Sequence, residues 1–238
     1  MTGSEERLVK FLSAAGVASR RAAGDLVKAG RIAVNGRTIR EPGFRILPAD
    51  TVTLDGRPVE PAGRFHYIML NKPRGYVCTN ADPHAPRKAV DLIRLDPPVR
   101  LFSAGRLDKE SEGMILFSND GDYVARLTHP RYEIRKTYLV RVTREFTEPE
   151  LTRIRTGITD GGEHLRVISI APAGNCLYRI VLNEGKKREI RRITAAVGSP
   201  TLELRRIRIG GLALGDLPPG AFRELTPEEV ALTLEAHS

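Results

Sequence analysis

A chain of 238 residues exceeds one typical domain, and 41% hydrophobic residues can build a sizeable core. Thirty-eight Lys and Arg stand against 29 Asp and Glu, a net charge of +9, which favours a polyanionic partner. No apolar run approaches the ~20 residues of a membrane span, the opening residues lack the basic and apolar regions of a signal peptide, and two cysteines with five histidines assemble no zinc set. A cytosolic (cytoplasmic) protein without a metal is expected, with Cys78 and Cys176 reduced and packed as small hydrophobes.

The first sixty residues read as a compact unit. Leu8, Phe11, Leu12 and Ala15 fall at helical spacing, and Gly16 can stop that helix. Ser19 caps a second helix that ends at Gly30. Residues 32–39 form a strand–turn–strand with Asn35-Gly36 at the turn, and Asp55-Gly56 repeats the device after Thr51–Leu54. The helices carry Arg7, Lys10, Arg20 and Arg21, and the hairpin carries Arg31 and Arg37. The stretch "RLVKFLSAAGVASRRAAGDLVKAGRIAVNG" resembles the small RNA-binding domain first seen in ribosomal protein S-four, over residues 5–60. Such modules hold structured RNA by helix ends and a basic hairpin, reading shape more than sequence. The resemblance therefore implies RNA contacts at Lys10, Arg20, Arg21 and Arg31.

Val59–Arg64 reads as a linker, dividing a domain at 1–61 from one at 65–238. Beyond it, strands are predicted at 66–70, 101–103, 114–117, 138–142, 167–170, 176–182 and 202–209. Helices are predicted at 122–127, after the capping box Thr147-Glu148-Pro149-Glu150, and over 186–197 before Gly198. Hairpin-joined strands interrupted by single helices predict an α+β fold with a mixed, largely antiparallel sheet and flanking helices. On the last helix Ile190, Ile193 and Val197 share one face, Arg188 and Arg192 point away, and Arg191 sits on the flank.

The loop "GRLDKESEG" at 105–113 lies between two predicted strands. Gly105 and Gly113 permit tight backbone geometry at its ends. Asp108 could serve as nucleophile or base, or simply pair with Arg106 or a backbone amide. Lys109, Glu110 and Glu112 read as solvated turn residues, and nothing fixes the carboxylate separation that glycoside hydrolysis needs.

"AGRLDKESEGMILFSNDG" resembles the active-site motif of pseudouridine synthases, whose RLD aspartate is essential. "YIMLNKPRGYVCT" precedes it, and "HPRYEIRKTYLVRV" and "EGKKREIRRITAAVG" follow in the family's order. With the S-four-type domain in front, the chain is similar to the branch that modifies ribosomal RNA, the RsuA/RluB type. The resemblance implies a catalytic Asp108, an active-site Tyr138 that stacks on uracil, and Arg191 as partner of the catalytic carboxylate. It implies that Ile190 lines the uracil pocket, that Leu107 contacts the substrate, and that Arg106 fills the space of a flipped-out base or holds its phosphate. Lys187 and Arg188 belong to a basic run with five cations in residues 186–192, which implies further RNA contact.

Two positions depart from the family pattern. Lys187 stands where related sequences often carry a small polar residue, and Glu189 where many carry Gln. The expected activity is isomerisation of uridine to pseudouridine in ribosomal RNA, free or within an assembly intermediate, by a monomer needing no cofactor. "NKPRGYVCT" and "LPPGAFRELTPEEV" lean toward the large-subunit (23S) type. The alternatives are a small-subunit (16S) synthase, or a non-catalytic RNA-binding ribosome assembly factor that uses the domain only as a scaffold.

Overall fold

The computed structural model describes residues 5–61, 63–79 and 87–236. The first four residues of the leader reading and Ala62 of the linker lie outside them. Contacts divide the chain into two units: residues 1–66 with 96–100 and 119–121, and the remainder.

In the first unit β1 (Glu6–Arg7) leads into α1 (Leu8–Ala14) and α2 (Arg20–Lys28). Ser19 caps α2 by accepting the Ala22 N–H at 3.3 Å, as the sequence predicts. Strands β2 (Ile32–Val34), β3 (Arg37–Ile39), β4 (Arg45–Ile46), β5 (Val52–Leu54) and β6 (Arg57–Pro58) follow. They form a four-stranded sheet in the order β3-β2-β5-β6, while β1 pairs with β4. Asn35 and Asp55 take left-handed φ values of 50° and 49°, each before a Gly, at the two hairpin turns. Leu8, Leu12, Ala23, Val27 and Ile32 are fully buried in one cluster. Val59 packs on that cluster and donates its N–H to Val52 at 2.9 Å, so this part of the expected linker belongs to the domain core.

The second unit is built on a nine-stranded sheet. Its strands are β7 (Tyr67–Lys72), β8 (Phe102–Ala104), β9 (Glu112–Ser118), β10 (Lys136–Val142), β13 (Ser169–Gly174), β14 (Leu177–Leu182), β15 (Thr201–Ile209), β16 (Leu212–Ala213) and β17 (Phe222–Glu224). The path β13-β14-β10-β15-β9-β7-β17 has one parallel pairing, β15 with β9, and the other pairings are antiparallel. The α+β expectation, with a largely antiparallel sheet, is thereby met. The helices are α3 (Gly121–Thr128), α4 (Glu148–Thr156), α5 (Glu189–Ala196) and α6 (Pro227–Thr233), and β11 (Ile158–Asp160) pairs with β12 (Glu163–Leu165) as a separate hairpin.

The run Met114-Ile115-Leu116-Phe117 is buried on both sides of the sheet, which is why it is continuous rather than alternating. Met114 and Leu116 pack with Tyr123 and Leu127 of α3. Gly113, the second residue of this strand, has φ 102° and stands in register with Arg206 of β15. A Cβ there would lie 2.3 Å from the Arg206 carbonyl oxygen, so the parallel pairing admits only glycine.

Candidate active site

The loop 105–111 connects β8 to β9 and is pinned from several sides. Gly105 turns it at φ 85°, Ser111 donates its N–H to the Asp108 carbonyl at 3.0 Å, and Gly75 donates to the Lys109 carbonyl at 2.8 Å. Leu107 is buried, and its N–H donates to the Cys78 sulfur at 3.4 Å. Cys78 is thus a hydrogen-bond acceptor as well as a packed thiol, and burial pushes its pKa up. The Asp108 side chain, 31% exposed, faces a cleft of about 600 Å³.

Two elements from the other side complete the cleft. Tyr138 is buried in the middle of β10, opposite Ile180 of β14 and Arg206 of β15, with an irregularity in the β15 pairing between Thr137 and Tyr138. Such a bulge re-aims side chains. The Arg206 guanidinium carbon lies 6.0 Å from the Tyr138 ring centroid, and its Nε donates to the Met114 carbonyl at 2.6 Å. Helix α5 buries Ile190 and Ile193, and Val197 at its C-terminal cap is buried with them, the face read from periodicity. Arg191, on the flank, turns into the cleft, with its Nε 3.9 Å from Asp108 Oδ2. Its Nη2 donates to Ser111 Oγ at 3.3 Å and its Nη1 to the Thr201 carbonyl at 3.4 Å. Burial and the neighbouring Arg188 lower its pKa, while Asp108 and Glu110 oppose that shift.

The structure therefore brings Arg106, Leu107, Asp108, Tyr138, Lys187, Arg188, Ile190 and Arg191 to one cleft. Arg106 is exposed at its edge, and the ion pair to Asp108 comes from Arg191. Two expectations for the neighbouring residues are corrected. Arg188 lies before the helix at φ 54°, outside its wheel, and pairs with Glu110 at 3.3 Å. Glu112 is part of β9 and pairs with Arg74 at 3.3 Å, not a solvated turn residue. Arg192 points away from the cleft, but onto the β11–β12 hairpin, where it bonds Asp160 and Glu163.

In the first unit Arg20 and Arg21 are exposed, and Lys10 is partly exposed. Arg31 is exposed but tied to Asp55 by a bidentate ion pair, so part of its charge is already compensated.

Sequence reasoning did not single out Lys136, Glu184 or Arg206, all of which line the cleft. Lys136 precedes Tyr138 by two residues, and period-two spacing could have found it on the same strand face. Burial and Arg206 lower its pKa to about 8, with Glu189 opposing. Arg206 gave no such signal, because its burial depends on the parallel β9–β15 pairing.

Comparison with known proteins identifies the family. Residues 66–196 match the RNA pseudouridylate synthase family, and residues 6–52 match the S4 domain. An RNA pseudouridine synthase of Aquifex aeolicus is 40% identical over 238 residues, covering 98% of this chain and 95% of the relative. The Escherichia coli K12 protein named ribosomal small subunit pseudouridine synthase A is 37% identical over 235 residues, covering 94% and 98%. A crystal structure of a pseudouridylate synthase superposes with a TM-score of 0.70 at 26% identity, covering 95% and 99%. The chain, with its S4 domain ahead of the catalytic domain, belongs to the RNA pseudouridylate synthase family and is an isomerase that acts on RNA.

Proposed function

We propose that the substrate is a uridine in structured ribosomal RNA, flipped out of its stack into the Asp108 cleft. One observation carries the reading: Asp108, Arg191 and Tyr138, from a loop, a helix and a strand, converge on one cleft, with Arg191 Nε 3.9 Å from the carboxylate. The isomerisation breaks the bond from ribose to uracil N1 and forms one to C5, so N1 gains a hydrogen and C5 loses one. The balance needs no external oxidant, reductant or group donor. Asp108 is the carboxylate that traps or stabilises the developing charge, with Arg191 as its cationic partner. Tyr138 stacks on the base and offers its hydroxyl to the proton leaving C5; Leu107 and Ile190 supply apolar walls. Arg106, exposed at the mouth, is suited to the vacated stack or the flipped phosphate.

For the subunit, the "NKPRGYVCT" and "LPPGAFRELTPEEV" segments favour large-subunit RNA. The E. coli relative, a ribosomal small subunit pseudouridine synthase by name, favours small-subunit RNA as the second reading. The S4 domain docks the RNA, and the protein works as a monomer in the cytoplasm on free RNA or an assembly intermediate. The test is tritium release from ribosomal RNA tritiated at uridine C5 and taken from cells lacking the protein. Release by wild type and not by Asp108→Asn, followed by mapping, names both the base and the subunit. No release from either subunit's RNA or from assembly intermediates would favour a non-catalytic binding factor.

A further inference from the structure

Glu189 is the first residue of α5 and is only 3% exposed. Its Oε2 accepts the N–H of Lys186 at 3.0 Å and closes the turn 186–189. Its Oε1 is equally buried, and among the described residues it receives no hydrogen bond. An ionised carboxylate oxygen in that position would be desolvated without compensation. The Glu184 side chain is a hydrogen-bonding neighbour of the Glu189 carboxyl group and is itself held by Lys186 Nζ at 2.8 Å. Two ionised carboxylates placed as such neighbours would repel. One proton on Glu189 removes both difficulties, because the orphaned oxygen then donates to Glu184.

The other charged groups around Glu189 leave this arrangement in place. Lys186 faces it from the turn, with its Nζ also donating to the His164 carbonyl of β12 at 2.7 Å. Lys136 faces it from β10, with Arg206 of β15 beside that lysine. On α5 itself Arg191 turns to Asp108, and Arg192 to Asp160 and Glu163. Burial raises the Glu189 pKa to about 7; the Lys186 N–H opposes the rise, and the charge and hydrogen bond of Glu184 add to it.

We propose that Glu189 is a positioning residue that shares one proton with Glu184 and so holds the 186–188 turn, which delivers Ile190 and Arg191 to the Asp108 cleft. The neutral carboxyl presents one donor and one acceptor, the pair that a Gln amide offers at the same place. Loss of the proton leaves two carboxylates facing each other, the turn opens, and Arg191 loses its register with Asp108. The role in catalysis rests on the reading of the site given above, whereas the shared proton is measured without substrate.

The experiment is a carboxyl ¹³C NMR titration of the full chain labelled at the glutamate side chains, with Glu189→Gln identifying the resonance. A Glu189 signal titrating near pH 7 is expected; one titrating with ordinary glutamates near pH 4–5 overturns the proposal. Tritium release against pH supplies the second arm. Wild type is expected to decline above pH 7, and Glu189→Gln is expected to stay active at pH 6 within a few-fold and to lack that decline. A variant that folds but is inactive at pH 6, or that keeps the wild-type decline, overturns it. Should Glu189→Gln fail to fold, Glu184→Gln must move the wild-type resonance to lower pH, and an unmoved resonance overturns the shared proton. Absence of tritium release from every protein would sink the proposed substrate while the titration still decides the proton.

Discussion

Arg191 Nε lies 3.9 Å from Asp108 Oδ2, close enough for an ion pair and too far for a hydrogen bond, and that nitrogen is buried with no hydrogen-bond partner among the described residues. The rest of the guanidinium is held by long hydrogen bonds of 3.3–3.4 Å to Ser111, Thr201 and the Glu110 carbonyl. A desolvated cation left partly unengaged beside a carboxylate can tighten onto it as charge moves in the reaction. Arg191→Lys keeps the charge and loses the fork. Its kcat is expected to fall about 10²-fold with RNA affinity little changed. Single-turnover tritium release beside a filter-binding titration checks this, and a loss confined to affinity would place Arg191 in RNA docking instead.

Asp108→Asn removes the charge and keeps the shape. Turnover is expected to drop by about 10²–10⁴-fold or more, with RNA affinity within a few-fold of wild type. A collapse of affinity alongside turnover would make Asp108 a structural residue of the loop.

Gly113 is the point at which β9 meets β15. An Ala there would strain φ 102° and drive its Cβ to 2.3 Å from the Arg206 carbonyl. The backbone conformation alone costs about 1–3 kcal/mol, so Gly113→Ala should unfold at clearly lower denaturant than wild type. An unchanged midpoint would mean the parallel pairing is absent in solution.

Lys136 gives a pH signature of its own. Its folded pKa is lowered from 10.5 to about 8, by burial first and then by Arg206. Between pH 8 and 10.5 the unfolded chain binds this proton more than the folded chain does, so stability contributed here rises with pH in that window. Glu189 has the opposite sign: its pKa is raised from 4.5 to about 7, and its contribution falls as pH climbs through that range. Urea unfolding at pH 8 and pH 10 is expected to show a smaller alkaline gain, or a larger loss, in Lys136→Met than in wild type. Equal differences would contradict the burial of this ammonium.

Arg20 and Arg21 are exposed on the first turn of α2, whereas Arg31 is paired with Asp55. If α2 meets phosphate, Arg20→Ala with Arg21→Ala should weaken RNA binding and reduce the salt slope by about 1 for each phosphate no longer neutralised. Arg31→Ala should change the slope less. Affinity measured at several salt concentrations tests both, and an unchanged slope in the double variant would remove α2 from the RNA surface.

The legible parts of this protein are those written in local chemistry. Ser19 as a cap, the Asn35-Gly36 and Asp55-Gly56 turns, and the Ile190–Ile193–Val197 stripe declare themselves because each depends on residues a few positions apart. The loop at 105–113, bracketed by two glycines, declares a tight turn for the same reason. The two-residue strands β1 and β4 and the hairpin β11–β12 are not legible, since two or three residues carry no periodicity and their hydrogen bonds come from partners elsewhere. By itself the sequence determined the local elements and, through the resemblance of its motifs, the family. The tertiary structure contains the Arg191–Asp108 pair that the resemblance implies, and it alone decided that Arg188 stands outside the helix and that the Glu189 side chain is buried. Those outcomes depend on burial and on distances between segments far apart in the chain, and both come into being only when the sheet closes and expels water from the cleft.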